Sequence, residues 1–389
     1  MSTTTRSRGS SPVVARLALA AWLGAVGAGC SDSSGPAPAP PGPVAPRYAA
    51  FDAVMDSALA DQRLPGAVAV VVHRDSGIVH LRGYGRFQSD RLFLLASASK
   101  PISAGVVMRL ADEGRLDLDA PIGTYVSGAW GAGKSSLTLA QMMSNSSGMV
   151  GLLDAPGYQP YLCQFAPRST LADCARTLYG SADGDAAIPP DTRFRYGGAQ
   201  WQLAGGVAAH VAGRRWADLV RETYAPCGVT SLGYTNQFTG AGTSGYPPDF
   251  TGTPDGVRPT DNPNIEGGGY ATASDYGRIL LLHLREGRCG STQVLSRAAV
   301  ARMREDRIGR VYAGSTGLPD FQGYGLGWWI DRPHPGQAAS PGFYGSMPWI
   351  DHARGYAVFI ALESDGVQRD RLWARIFPVL DRLFDREAD

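Results

Sequence analysis

The chain has 389 residues, 36 Lys and Arg against 35 Asp and Glu, a net charge of +1, and only 18% charged residues against 44% hydrophobic ones. With no basic block and no charge surplus there is no electrostatic footprint for nucleic acid, which removes that class of partner. Fifty glycines and 27 prolines on top of this apolar content indicate a loop-rich enzyme with a substantial core.

Residues 1–29 carry Arg6, Arg8 and Arg16 ahead of the apolar run Leu17 to Val26, and Gly27-Ala28-Gly29 leads into Cys30. This is the pattern of a secretion signal. The small residues before Cys30 resemble a bacterial lipoprotein cleavage site, so Cys30 is expected to carry lipid and to hold an exported protein at the membrane, on the periplasmic or cell-surface side. An uncleaved N-terminal anchor is the alternative. The run is short for a membrane span, and no later stretch is long and apolar enough to be one. Residues 30–47, rich in Ser, Pro, Ala and Gly, cannot bury a core and are expected to be a disordered tether.

Residues 48–389 form the expected catalytic domain. Tyr48 to Gln62 has helical period, and Gly66 to Arg74 and Ile78 to Gly83 are two strands joined at Asp75-Ser76-Gly77. In the stretch that follows, Ser97 and Lys100 stand three residues apart in the first turn of a helix whose apolar positions are Val106, Val107, Leu110 and Ala111. That spacing puts hydroxyl and amine on one face. A serine becomes a nucleophile when a neighbouring base takes its proton, and a lysine serves only if its amine is neutral, which burial and a second cation favour. The N-H of a serine at a helix start can also help hold an oxyanion.

From about residue 115 to 290 the pattern is a mostly helical insertion, with segments at Thr138 to Ser144, Gln200 to Val211, Trp216 to Tyr224 and Ala273 to Arg285, and an irregular stretch from Gly240 to Gly269. Strand patterns follow at Gly323 to Asp331, Gly342 to Asp351 and Gly355 to Ser364, and a closing helix carries Leu372, Ile376, Val379, Leu380 and Leu383 on one face. The order implies an α+β fold, an antiparallel sheet flanked by terminal helices.

With Cys30 set aside, Cys163, Cys174, Cys227 and Cys289 make an even count in an exported chain, which favours two disulfides over metal ligands or buried thiols. Of three pairings, Cys163 with Cys174 closes the short loop and leaves Cys227 with Cys289. Residues Gly128 to Ser135 match the phosphate-cradling P-loop pattern, but Ile122 to Ser127 is a poor strand and the next helix begins near Thr138, so no nucleotide is expected. No G-x-S-x-G elbow occurs, and the six histidines lack metal-ligand spacing. Asp255, Asp261 and Glu266 lie in a Gly/Pro-rich loop where acidic side chains cap turns. No metal or cofactor is assigned.

The segment Ala96-Ser97-Ala98-Ser99-Lys100-Pro101, followed by Glu113 to Leu118 and by Leu137-Thr138-Leu139 to Ser147-Gly148, resembles the serine hydrolase superfamily of class C β-lactamases, D-alanyl-D-alanine carboxypeptidases and β-lactamase-like esterases. The resemblance covers nearly everything after the tether and implies the β-lactamase/transpeptidase-like fold, with an acyl-enzyme formed on Ser97. Its second motif, a tyrosine two residues before an asparagine, falls on Tyr196, with Gly198 in place of the asparagine. By resemblance Tyr196 relays protons beside Ser97 and Lys100. Its third motif, a cation, a small residue and a glycine on an inner edge strand, falls on Ser340-Pro341-Gly342-Phe343. There Gly342 permits close approach and the Phe343 N-H completes the oxyanion hole, while Ser340 supplies no cation for a substrate carboxylate. The expected activity is therefore hydrolysis of a small-molecule ester or amide. The alternatives are a β-lactamase or D-alanyl-D-alanine carboxypeptidase acting on a peptide-like substrate, and a non-catalytic wall-binding or sensor lipoprotein.

Overall fold

The computed structural model describes residues 46–152, 154–155, 157–238 and 246–385. The expected signal, the expected lipidation site Cys30 and nearly all of the expected tether lie outside the described residues. Among the described residues no helix is long and apolar enough to cross a membrane.

Seven antiparallel strands form the main sheet. From edge to edge they are Gly77–Gly85, Gly66–His73, Tyr356–Leu362, Met347–Asp351, Gln337–Ala339, Trp329–Ile330 and Gly323–Tyr324. The chain's first hairpin thus pairs directly with its last long strand, Val70 opposite Phe359. The run Ala67-Val68-Ala69-Val70-Val71-Val72 does not alternate with polar residues because both of its faces are covered. Val68, Val70 and Val72 enter the larger core, while Ala67, Ala69 and Val71 enter a second one.

The terminal helices Ala49–Gln62 and Gly366–Asp385 close the second core. Leu372, Trp373, Ile376, Val379, Leu380 and Phe384 form the buried stripe of the last helix, a face of helical period against the sheet. On the opposite face lies helix Ala273–Leu284. There Gly277 lets the helix approach Val70 and Val72, since a Cβ would fall 2.9 Å from Val70 Cγ2. Beyond it stand the helices of the insertion, among them Leu171–Gly180, Ala199–Ala212 and Trp216–Tyr224.

Both disulfides pair as expected, Cys163 with Cys174 and Cys227 with Cys289. In agreement with its poor strand pattern, Ile122 to Ser127 is occupied by helix Gly123–Trp130, which buries Val126. Two local expectations are corrected. Gly342 is not on a strand: the strand starts at Met347, and Gly342 lies in the connection from Gln337–Ala339, where its N-H donates to Ser346 O at 2.7 Å. Ser97 stands not in the α-helix but in the 3-10 turn Ala96–Ser99 that leads into helix Lys100–Asp112.

Candidate active site

Ala96 sets the geometry of the nucleophile turn. Its φ of 45° is a left-handed conformation that costs a non-glycine residue of order 1 kcal/mol and must be held by its surroundings. The holders are on both sides. Leu95 N-H donates to Gly269 O at 2.8 Å, and Leu95 O accepts from Ser346 Oγ at 2.7 Å. Three buried tyrosines then fix the carbonyls that follow: Tyr276 donates to Ala98 O at 2.7 Å, Tyr234 to Ser99 O at 3.2 Å and Tyr224 to Ile102 O at 2.8 Å. Burial pushes all three phenols up, so they remain donors. Ser97 is left half-buried within this turn, and Lys100, just after it, is fully buried.

Lys100 Nζ lies 3.1 Å from Ser97 Oγ and 4.7 Å from the centroid of the Tyr196 ring, so the three residues singled out in the sequence converge. Tyr196 arrives on a loop stapled to the neighbouring Leu137 to Gly148 segment. Arg195 N-H donates to Asn145 O at 2.8 Å, Gln200 Nε2 to Asn145 Oδ1 at 2.8 Å, and Arg307 pairs with Asp191 at 2.7 Å. Burial would raise the Asp191 carboxyl, but hydrogen bonds from Arg307, Gln141 and Ser146 outweigh it and hold the group below its ordinary value. The Tyr196 ring also packs at 5.3 Å from Trp329, which with Phe194 and Tyr324 forms an aromatic wall.

A fourth polar residue, unassigned from sequence, completes the constellation. Glu266 Oε2 lies 3.0 Å from Lys100 Nζ, and the Glu266 carbonyl at 3.3 Å. Burial alone would lower the lysine, but the Glu266 carboxylate and then Tyr196 outweigh it, and Lys100 is held above its ordinary value. This corrects the expectation of a neutral lysine beside a second cation: the charged neighbour is an anion, and the amine is an ammonium. The expected turn-capping role for Glu266 is replaced with it. The signal that could have revealed Glu266 is the missing side chain at Gly198, which leaves a polar volume that something else must fill.

The third-motif residues lie on the other side of Ser97. Ser340 is buried and its Oγ donates to Ser97 O at 3.1 Å. Gly342 packs against Leu95 O and Ser346 Oγ, where a Cβ would collide with both. Phe343 is 40% exposed, an apolar side chain beside Tyr344 at 5.8 Å between ring centroids. Lys134 of the P-loop-like stretch is elsewhere and fully engaged. It donates to Leu178 O at 2.9 Å and Ser181 O at 2.6 Å, and it pairs with Asp183 at 3.1 Å. Among the described residues no group of His, Cys, Asp and Glu could hold a metal ion.

A serine and a lysine one turn apart, between an antiparallel sheet and a helical insertion, define a β-lactamase-like serine hydrolase. The chain belongs to the Beta-lactamase family, whose sequence profile matches residues 51–380. It is 27% identical over 340 residues to penicillin-binding protein 4 of Amycolatopsis lactamdurans, covering 80% of this chain and 83% of that one. It is 45% identical over 82 residues to esterase EstB of Burkholderia gladioli, covering 19% of this chain and 21% of the esterase. A candidate β-lactamase of Bacteroides dorei superposes with a TM-score of 0.69 at 26% identity, covering 87% of this chain and 98% of that one.

Proposed function

We propose that the protein is an exported serine hydrolase acting on a neutral ester or amide through an acyl-enzyme on Ser97. The observation that carries this reading is the convergence of Ser97 Oγ and Tyr196 on the Lys100 ammonium, at 3.1 Å and at 4.7 Å to the ring centroid. Lys100, being charged, cannot accept the serine proton. It instead stabilises the developing alkoxide, and the Tyr196 hydroxyl relays the serine proton toward the leaving group. As Ser97 Oγ bonds to the substrate carbonyl carbon, the carbonyl π-pair moves onto oxygen, where the N-H groups of Ser97 and Phe343 hold it. Collapse expels the leaving alkoxide or amine, which receives that proton through Tyr196. Water then attacks the acyl carbonyl by the same steps in reverse and releases Ser97.

The substrate class follows from Ser340. A hydroxyl there, already donating to Ser97 O, gives a substrate carboxylate no counter-charge, while exposed Phe343 and the aromatic wall offer apolar contact. The relation to esterase EstB supports an ester. The longer match to penicillin-binding protein 4 supports a second reading, peptidase activity on a D-alanyl-D-alanine-like peptide. We assign the signal to residues 1–29, lipidation to Cys30 and a membrane location to the mature chain, which fatty-acid labelling lost in Cys30→Ser would test.

The deciding experiment treats full-length protein in detergent with a fluorophosphonate, locates the adduct by peptide mass spectrometry, and measures short-chain p-nitrophenyl esters beside a chromogenic cephalosporin. An adduct on Ser97, absent in Ser97→Ala, with ester turnover supports the esterase. An adduct without turnover of either substrate favours the peptidase or a non-catalytic sensor, and no adduct at Ser97 refutes the assignment.

A further inference from the structure

Gly198 and Glu266 are distant in sequence and share one volume. A Cβ on Gly198 would fall inside the envelope of the Glu266 carboxylate, against Oε1 and Cδ, and against Gln164 Oε1. A side chain at 198 and the present carboxylate therefore exclude one another. The backbone on either side of Glu266 is held by side chains. Ile265 N-H donates to Gln202 Oε1 at 2.9 Å, Ile265 O accepts from Ser103 Oγ at 2.6 Å, and Gly267 N-H donates to Asn264 Oδ1 at 2.9 Å. Asn264 itself is buried and donates to Gln164 O at 3.1 Å. So many fixed contacts on an irregular loop place one oxygen, Glu266 Oε2, at 3.0 Å from Lys100 Nζ.

We propose that Glu266 is a positioning residue of this site, a carboxylate that takes the volume a side chain at 198 would fill and keeps the Lys100 ammonium aimed at Ser97 Oγ. It rests on the serine-hydrolase reading above and adds to it a residue that acts only through Lys100. The groups facing the ammonium are Ser97, Tyr196 and Glu266, with Tyr324 behind Tyr196 at 6.4 Å between centroids. Glu266 is thus the anion of the set. Without it, burial stands against Tyr196 alone, and Lys100 gives up its proton at lower pH.

The test compares wild type, Glu266→Gln, Gly198→Asn and Gly198→Asn/Glu266→Ala, all full-length in detergent. It reads the rate of fluorophosphonate labelling of Ser97 and the kcat and KM for p-nitrophenyl butyrate across neutral and alkaline pH. Glu266→Gln should lower kcat and the labelling rate by roughly tenfold or more with KM within about threefold, and should move the alkaline loss of activity down by about one pH unit. Gly198→Asn should lose on the order of 100-fold because the new side chain meets the carboxylate, and adding Glu266→Ala should return at least about tenfold of that loss. A purely structural Glu266 would move neither the pH profile nor the exchange. Wild-type labelling rate and pH profile in Glu266→Gln overturn the proposal, as does a double variant no better than Gly198→Asn. If the wild type is labelled but turns over no ester, the labelling rates decide alone. If the wild type is not labelled at Ser97, the hydrolase reading falls and this proposal with it.

Discussion

Lys100→Met keeps the length of the side chain and removes its charge, leaving the Glu266 carboxylate, 10% exposed at the side chain, without its cation. Breaking a buried ion pair by deleting one partner costs about 3–5 kcal/mol, whereas replacing both partners with neutral groups of similar volume is often close to neutral. Lys100→Met should therefore be destabilised by about 3–5 kcal/mol and Lys100→Met/Glu266→Gln by only about 1 kcal/mol. Unfolding entropy of about 2.1 cal/mol/K per residue over roughly 330 ordered residues amounts to ~0.7 kcal/mol/K, so the single variant should melt about 4–7 °C below wild type and the double variant about 1–2 °C below. Circular dichroism or scanning calorimetry at neutral pH in one buffer reads both shifts. Neither variant needs to be active. A single variant melting within about 1 °C of wild type, or a double variant no more stable than the single, would refute the claim that ammonium and carboxylate depend on one another.

Three further outcomes follow from groups outside the site. Burial pushes His283 down to about 3, helped by nearby Arg304 and His352, and neither ring nitrogen has a hydrogen-bond partner. The folded state therefore keeps it neutral while the unfolded chain protonates near 6.5, and stability present above that pH is lost as pH falls toward 3, by up to about 1.4 kcal/mol per pH unit. His283→Leu should flatten the melting temperature between neutral and mildly acid pH, and an unchanged slope would count against it. Lys134→Met should cost about 3 kcal/mol by taking the cation from Asp183, whose side chain is 2% exposed and keeps only the hydroxyls of Tyr158, Tyr161 and Ser181, while leaving ester kcat unaltered below the melting range; magnesium-ATP that raised the wild-type melting temperature would revive a nucleotide site. Replacing Cys227 and Cys289 by serine reopens a 62-residue separation, for which loop closure predicts a loss of about 4 kcal/mol, read by urea unfolding.

Much of this molecule was legible because its signals are local. The unbroken apolar run Ala67 to Val72, the S-x-x-K turn and the periodic last helix each declare themselves within a few residues, and the structure returns them with bounds shifted by one to a few positions. The short loop between Cys163 and Cys174 likewise fixed both disulfides by leaving one pair over. What stayed hidden depends on contacts across long separations. Glu266 looked like a turn residue because its neighbours are Gly and Asn, and its partner Lys100 is far upstream. Lys134 matched a nucleotide motif by letters, yet its acceptors Leu178, Ser181 and Asp183 lie beyond any local window. Helix Gly123–Trp130 was missed for a related reason: its one buried residue is Val126, so it shows no apolar stripe.

The two departures from the family pattern differ in kind, and the difference bears on substrate. At Gly198 the lost side chain is replaced by another polar group, Glu266, in the same volume. At Ser340 a hydroxyl that donates to Ser97 O stands where the family pattern has a cation. Arg369, which is pinned to this segment, donates to Gly342 O at 2.7 Å and pairs with Asp370 at 2.7 Å, so both arms of its guanidinium are used. A cephalosporin or a C-terminal peptide brings a carboxylate that must shed water on entering, and the buried Ser340 hydroxyl, already donating to Ser97 O, returns little of that cost. A neutral ester brings no such charge. Ser340→Lys should therefore raise kcat/KM for a chromogenic cephalosporin by about tenfold, in line with the ~1.4 kcal/mol that one charge-assisted hydrogen bond contributes, while changing p-nitrophenyl butyrate turnover little or lowering it through loss of the Ser340 to Ser97 O bond. The ratio of the two substrates is the informative quantity, since a general loss of folding would lower both together. A wild-type enzyme that already prefers the cephalosporin, or a Ser340→Lys ratio that does not move, would show that the carboxylate is recognised elsewhere or not needed, and the inference from an uncharged third motif to a neutral substrate would fail.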